Sequence, residues 1–294
     1  MKHYINQAVG SQTKGRNRRR KSRLWLLIAT LAVMLGIRCL VPSGEKNIPE
    51  KVKIPPVTTG QNPDSPAEPP WNAGSAEAKI RAFAEENQIS FDLWPEELID
   101  LLERNPETED FVLGYPTHTQ KKTDLSSYDR AGGVPLFLQW DPQWGYTEYG
   151  SGMLAVTGCG PACLAMVGYY LTGEERFTPD RVAEFSLANN YYSYGNGSCW
   201  TLIGVGGRQL GLDVTELPLD QFQIEQNLEA GNPIICVMGP GDFTTAGHFI
   251  VLAGIRDGKI TVNDPNSRIN SGRLWTYEEI QDQIDNLWVV KYFE

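Results

Sequence analysis

The chain has 294 residues, room for one large domain or two small ones, and a formal net charge of −10. Residues 1–23 hold eight Lys or Arg and no acid, so the rest of the chain sets 18 basic residues against 36 acidic ones. So acidic a body argues against nucleic acid as a partner, because neutralising phosphates takes positive charge.

The basic cluster (Lys2, Lys14, Arg16, Arg18, Arg19, Arg20, Lys21, Arg23) stands directly before Leu24–Val41, an apolar run broken only by Arg38. By the positive-inside rule, residues 1–23 read as a cytoplasmic N-terminus and 24–41 as a signal anchor or signal peptide. The unbroken part, Leu24–Ile37, is shorter than the ~20 residues of a spanning helix, but Arg38 can snorkel to the outer interface. No small-x-small cleavage site stands around Val41–Gly44, and Cys39 follows Ile37-Arg38 rather than the small residues of a lipoprotein signal. An uncleaved anchor, with the C-terminal part extracytoplasmic, is therefore preferred over a cleaved signal and a secreted protein. Residues 42–74 read as a Pro-, Ser- and Thr-rich linker, expected to be extended and mobile.

A helical preamble is expected over 75–133. Ala76, Ile80, Phe83, Ala84 and Ile89 give one helix its apolar face. Pro95–Arg104 gives a second, with Leu98, Leu101 and Leu102 inward and Asn105-Pro106 as its stop. Phe111–Tyr115 reads as a short docking strand or turn, and His118 as a solvated loop histidine rather than a catalytic one. So small a unit cannot bury its own core and is expected to pack on the C-terminal domain.

Residues 134–294 form the main domain. Val134–Gly145 (VPLFLQWDPQWG) reads as an apolar strand leading to Gln139, then an Asp-Pro turn; Gln139 by itself reads as a hydrogen-bonding turn residue. Gly158–Tyr170 (GCGPACLAMVGYY) is the stretch around which the chain is organised. A Gly-Cys-Gly-Pro turn opens onto an apolar-periodic run, and Pro161 fits the first helical turn, where its missing N–H costs nothing. Cys159 then stands beside the unpaired amides at the positive end of a buried helix, a position that favours a thiolate and hence a nucleophile. Cys163, one turn further in, reads as packing. Thr178–Leu187, capped by Thr178, Trp200–Leu210 and Leu219–Ala230 are further helices. Tyr191–Trp200 (YYSYGNGSCW) suits the lip of a cleft or plain aromatic packing.

Five cysteines in an exported chain invite a disulfide reading, but their spacing forms no small-scaffold framework. Cys163 and Cys236 sit in apolar runs as buried thiols. With no Cys-x-x-Cys pair and histidines only at 3, 118 and 248, neither a metal nor another cofactor is expected.

The period then changes. Pro233–Met238, His248–Ile255, Lys259–Val262 and Leu287–Tyr292 read as strands, and helices followed by an antiparallel sheet make an α+β chain. A cysteine nucleophile needs a base within hydrogen-bond reach and a group to orient that base. His248 heads a strand that returns through Arg256-Asp257-Gly258 to Asn263-Asp264-Pro265. A two-residue Asp257-Gly258 loop would pair Leu252 with Asn263 and turn Asp264 away from His248. A three-residue loop with a G1 bulge at Gly258 pairs Ile255 with Lys259 and Ile250 with Asp264, bringing Asp264 diagonal to His248 at roughly 7–8 Å between backbones. The second is the expectation, with Asp264 as orienting residue and Asn263 in reserve.

Gln139 before a Trp-rich turn, Gly-Cys-Gly-Pro opening a helix, Gly-His-Phe-Ile-Val and Asn-Asp-Pro, in that order from Val134 onward, resemble the bacteriocin-processing (double-glycine leader) peptidase-like branch of the papain superfamily. The resemblance implies a papain-like α+β fold, helical half packed on an antiparallel sheet. It implies Cys159 as nucleophile, His248 as base, Asp264 as orienting residue, and the Gln139 side-chain amide with the Cys159 backbone N–H as oxyanion hole. This sequence has one apolar segment and no ATP-binding P-loop, unlike the transporter-fused members, so leader removal during export is not implied. The expected activity is thiol hydrolysis of a peptide or protein substrate by a domain tethered to the cell membrane. The alternatives are a cell-wall peptide hydrolase or acyl transferase with the same chemistry, self-cleavage in the linker, and a catalytically silent surface binding module.

Overall fold

The computed structural model describes residues 74–293. The basic N-terminus, the apolar run 24–41 and nearly all of the linker lie outside the described residues. Among those described, no helix is long and apolar enough to cross a membrane.

The preamble supplies α1 (Ala76–Asn87), α2 (Glu96–Arg104) and α3 (Glu109–Gly114). Ser75 caps α1 by accepting the Ala78 N–H. Phe111–Tyr115 is helical rather than a strand or turn. Asn105 caps the turn before it, Glu109 and Asp110 favour its positive end, and the Trp94 indole donates to the Val112 carbonyl at 2.7 Å. Leu98, Leu101, Leu102, Phe111 and Val112 share a buried cluster with Leu138, Trp140, Met153 and Ala155 of the main domain.

Val134–Leu138 pairs with no strand. Its neighbouring polar groups are taken by side chains and loops instead. Asn263 Nδ2 donates to the Val134 carbonyl, the Trp144 indole to that of Leu138, and the Gln139 N–H to that of Pro265. A small β1–β2 hairpin (Glu148–Tyr149, Gly152–Met153) leads to one turn of helix, α4 (Leu154–Thr157), and then to the central helix α5 (Cys159–Thr172). The two glycines flanking Cys159 are required by close approach. A Cβ on Gly158 would stand 2.3 Å from the Leu154 carbonyl oxygen, and one on Gly160 2.6 Å from Ser198 Oγ.

Next come α6 (Pro179–Ala188) and the β3–β4 hairpin (Tyr192–Ser193, Gly197–Ser198). Thr178 stands at the N-cap of α6, but its hydroxyl makes no capping bond. The expected helix Trp200–Leu210 is a π-helical segment, Leu202–Gly206, running into the short α7 (Gly207–Gln209). The remaining elements are β5 (Asp213–Glu216), α8 (Gln221–Glu229), β6 (Ile234–Met238), β7 (His248–Arg256), β8 (Lys259–Asn263), α9 (Arg268–Gly272), β9 (Leu274–Trp275), α10 (Tyr277–Ile280) and β10 (Ile284–Lys291).

Six strands make one antiparallel sheet in the order β5-β10-β6-β7-β8-β9. Both faces are covered, so β6 is buried at every position and reads as an unbroken apolar run. Ile235, Val237, Phe249 and Val251 pack with Leu164, Met166 and Val167 of α5. Ile234, Cys236, Ile250 and Leu252 pack with Ile224 and Leu228 of α8 and with Ile280 of α10. The fold is α+β, a helical half holding α5 against the antiparallel sheet.

The β7–β8 turn differs from expectation. Arg256 pairs with Lys259, and Asp257 and Gly258 both have positive φ (53° and 70°), a two-residue type I′ turn. Between the pairs Gly254–Thr261 and Leu252–Val262, Ala253 is an extra residue, a β-bulge. The bulge resets the register, so Val251 faces Asn263, the register expected of a three-residue loop.

Candidate active site

Cys159 is the first residue of α5, half-buried on the wall of a cleft. Burial pushes its thiol pKa up. This is outweighed by the hydrogen bond and charge of His248 and by the backbone N–H groups of Phe249 and Gly160, and the net shift is downward. Cys163, fully buried on the same helix, has no such donors. Burial, followed by the charges of Cys159 and Asp264, drives its pKa well above the ordinary thiol value, and burial raises that of Cys236 too. Of these three thiols, only Cys159 is set up as a thiolate.

His248 opens β7 and is buried. Its Nε2 lies 2.7 Å from Asp264 Oδ1, and with a carboxylate as acceptor that nitrogen carries the proton, leaving Nδ1 for the sulfur. Burial alone would lower the imidazole pKa. Hydrogen bonds to Asp264 and Cys159, then their charges, override it and raise the value to about 10. Both shifts favour a thiolate beside an imidazolium.

Asp264 is wholly buried, and its carboxylate also accepts the Asn266 N–H at 2.8 Å and Asn270 Nδ2 at 2.9 Å. Its own N–H donates to Ser271 Oγ at 2.9 Å. Such a carboxylate cannot swing away from His248 without abandoning several bonds. Asn263, the reserve, instead donates its amide to the Val134 carbonyl at 2.8 Å.

Gln139 is buried, and its Nε2 donates to the Ala155 carbonyl at 2.7 Å, four residues before Cys159. Its Oε1 has no partner among the described residues, and it is not among the cleft-lining side chains. His118 is half-buried against the Tyr146 ring in a separate groove with Leu93, Tyr115 and Pro116.

The cleft encloses about 530 Å³. Cys159 and His248 line it together with Val237, Phe249 and Trp200, and the β3–β4 hairpin forms one lip through Tyr192 and Gly195–Ser198. The aromatic loop therefore stands at the cleft. Arg104, the last residue of α2, also lines it, and no sequence motif marks it for that place. Where an exposed arginine at the end of an amphipathic helix points depends on how the preamble docks, which no local pattern encodes.

The profile of the Peptidase_C39 like family matches residues 132–291. Among solved structures, the chain is similar to the peptidase domain of Streptococcus ComA, a bifunctional ABC transporter involved in a quorum-sensing pathway. Identity is 19% and TM-score 0.34, over 47% of this chain and 93% of that one. It is also similar to a C39-like peptidase from Bacillus anthracis, at 14% identity and TM-score 0.33, over 55% of this chain and 96% of the other. No curated protein matches it. The family match takes in more than half of the chain and includes Cys159, His248 and Asp264. The chain belongs to the Peptidase_C39-like family.

Proposed function

We propose that the protein is an exported, membrane-tethered thiol peptidase in which Cys159 is the nucleophile, His248 the acid and base, and Asp264 the orienting residue. The observation that carries this reading is the run of hydrogen bonds from the Cys159 sulfur through His248 to a buried, fully bonded Asp264.

The Cys159 thiolate attacks a peptide carbonyl, forming the S–C bond. The His248 imidazolium gives its proton to the amide nitrogen as the C–N bond breaks and the amine leaves. Water then attacks the thioester, gives a proton to the now neutral His248, and releases the acid product and the thiolate. The tetrahedral oxyanion is assigned to the Cys159 backbone N–H at the start of α5; Gln139, whose amide is buried on the Ala155 carbonyl and does not line the cleft, would have to turn toward the cleft to serve as the second donor. Loss of one such donor costs about 10²–10³ in kcat. Tethering and export rest on the basic cluster and the apolar run 24–41, which lie outside the described residues.

The test is hydrolysis of a mixed peptide panel by the full chain. Cys159→Ala should abolish cleavage with the fold intact by circular dichroism, while Cys163→Ala should cleave within a few-fold of the parent. Equal loss in both variants would remove Cys159 from its role.

A further inference from the structure

The cleft has an unusual charge inventory. Of its lining side chains Arg104 is the one permanent cation, and no Asp or Glu lines it. Arg104 is exposed. Its Nε donates to the Asp100 carbonyl of its own helix at 3.1 Å, and among the described residues no carboxylate lies within ion-pair distance of it. Arg104 lines the cleft, and the two terminal nitrogens of its guanidinium have no protein partner among those residues.

Its place is nonetheless fixed. Leu101 and Leu102 bury the same turn of α2. The next residue, Asn105, is bolted across to the loop after Asp264, with Nδ2 2.6 Å from the Asn266 carbonyl and 3.2 Å from Asn266 Oδ1. An arginine whose backbone is held from both sides, and whose two terminal nitrogens are unspent, is preorganised for a planar carboxylate. The acidic body repels polyanions at long range, so a single carboxylate is the ligand this arrangement favours.

The geometry points to Arg104 as the specificity-determining residue of the cleft, selecting peptides that present one carboxylate to it, either an acidic side chain or a free C-terminus. This rests on the peptidase reading of the same cleft. It assigns a substrate-binding role to the helical preamble, which lies outside the family match of residues 132–291.

The test uses the full chain carrying Cys159→Ala, which can bind but not cleave. One arm is a hexapeptide library, N-acetylated and C-amidated, with Glu or Gln at each position. The other is Gln-only peptides with free or amidated C-termini. Affinity selection read by mass spectrometry should enrich the carboxylate member about tenfold over its amide counterpart. The arm in which this happens tells side chain from terminus. Adding Arg104→Gln should erase the ratio, Arg104→Lys should keep part of it, and salt should weaken it. Equal retention of acid and amide, retention of no peptide at all, or enrichment that survives Arg104→Gln each overturn the assignment. The parent protein is given the same libraries for turnover. Cleavage without acid preference removes Arg104 from its role and leaves the peptidase reading. Acid-selective binding dependent on Arg104, with no turnover, does the reverse.

Discussion

Glu107 of the preamble holds Ser267, three residues beyond Asp264. Its Oε1 accepts the Ser267 hydroxyl at 2.6 Å, and the same carboxylate accepts the N–H groups of Arg268 at 2.8 Å and Ile269 at 3.4 Å. A side chain outside the family match thus clamps the segment that positions the carboxylate behind His248. Hydrogen bonds to a charged group contribute ~1.5–3 kcal/mol when buried, and this half-exposed clamp warrants about 1–2 kcal/mol. Glu107→Ala should lower the denaturation midpoint accordingly and reduce kcat more than it raises KM, because Asp264 loses support while the cleft walls stay. Glu107→Gln should recover part of both. A Glu107→Ala protein with unchanged kcat would show that the clamp does not reach the site.

The charge on Asp264 sets the pH window. In the proposed mechanism activity needs a Cys159 thiolate, favoured above its lowered pKa, and a protonated His248, present below its raised pKa of about 10. In Asp264→Asn the raising charge is gone, so the imidazole pKa falls and the alkaline limb of kcat/KM moves to lower pH. A less protonated His248 also stabilises the thiolate less, so the acid limb moves up and the bell narrows. The maximum should drop by up to about 10⁴, the loss that follows neutralising the carboxylate of a Ser-His-Asp triad. An alkaline limb that stays in place would separate Asp264 from the titration of His248.

Gly160 is where the cleft lip rests on the nucleophile helix. A Cβ there would stand 2.6 Å from Ser198 Oγ and 2.7 Å from Ser198 Cβ, and Ser198 is held in turn by the Tyr149 hydroxyl at 2.8 Å. Gly160→Ala has to push the β3–β4 hairpin outward, at a cost of roughly 1–3 kcal/mol for overpacking. Thermal melting should show the loss, and the displaced lip should raise KM for peptides. The same substitution at Gly195, whose Cβ would meet nothing within 4 Å, should leave packing unchanged and add only the strain of its φ of 82°.

The elements that hold the three site residues were legible because each rests on a local rule. A Gly-Cys-Gly-Pro turn before an apolar run starts a helix, and Ile- and Val-rich runs in β6, β7 and β10 make buried strands. The misreadings have one physical cause, partners supplied from far away in the chain. Val134–Leu138 has strand composition, but its polar groups are taken by Asn263 and Trp144. Phe111–Tyr115 is apolar enough for a strand, yet the bond from Trp94, eighteen residues away from Val112, ties it into a helix. Edge strand β5 has a single buried residue, Val214, and so no periodic signal at all. Arg104 and Glu107 became visible only once the preamble was docked.

The β7–β8 hairpin offers the sharpest test of how register is set. Asp257-Gly258 is a strong two-residue turn signal, and with uninterrupted strands it would pair Leu252 with Asn263 and turn Asp264 to the wrong face. Ala253, the bulged residue, absorbs the surplus and returns Leu252 to Val262. A deletion next to an active site ordinarily flips every side chain beyond it. Deleting Ala253 should not, because it removes the one residue that has no partner. The turn pairs Arg256–Lys259, Ile255–Ile260 and Gly254–Thr261 would then run straight into Leu252–Val262, and Val251 would still face Asn263. The deletion protein should keep kcat/KM within about tenfold and melt within a few degrees of the parent, since Ala253 is only partly buried. A folded deletion protein with activity down more than about a hundredfold would mean that the bulge shapes the site directly, through the extra twist it gives β7, and not through register alone.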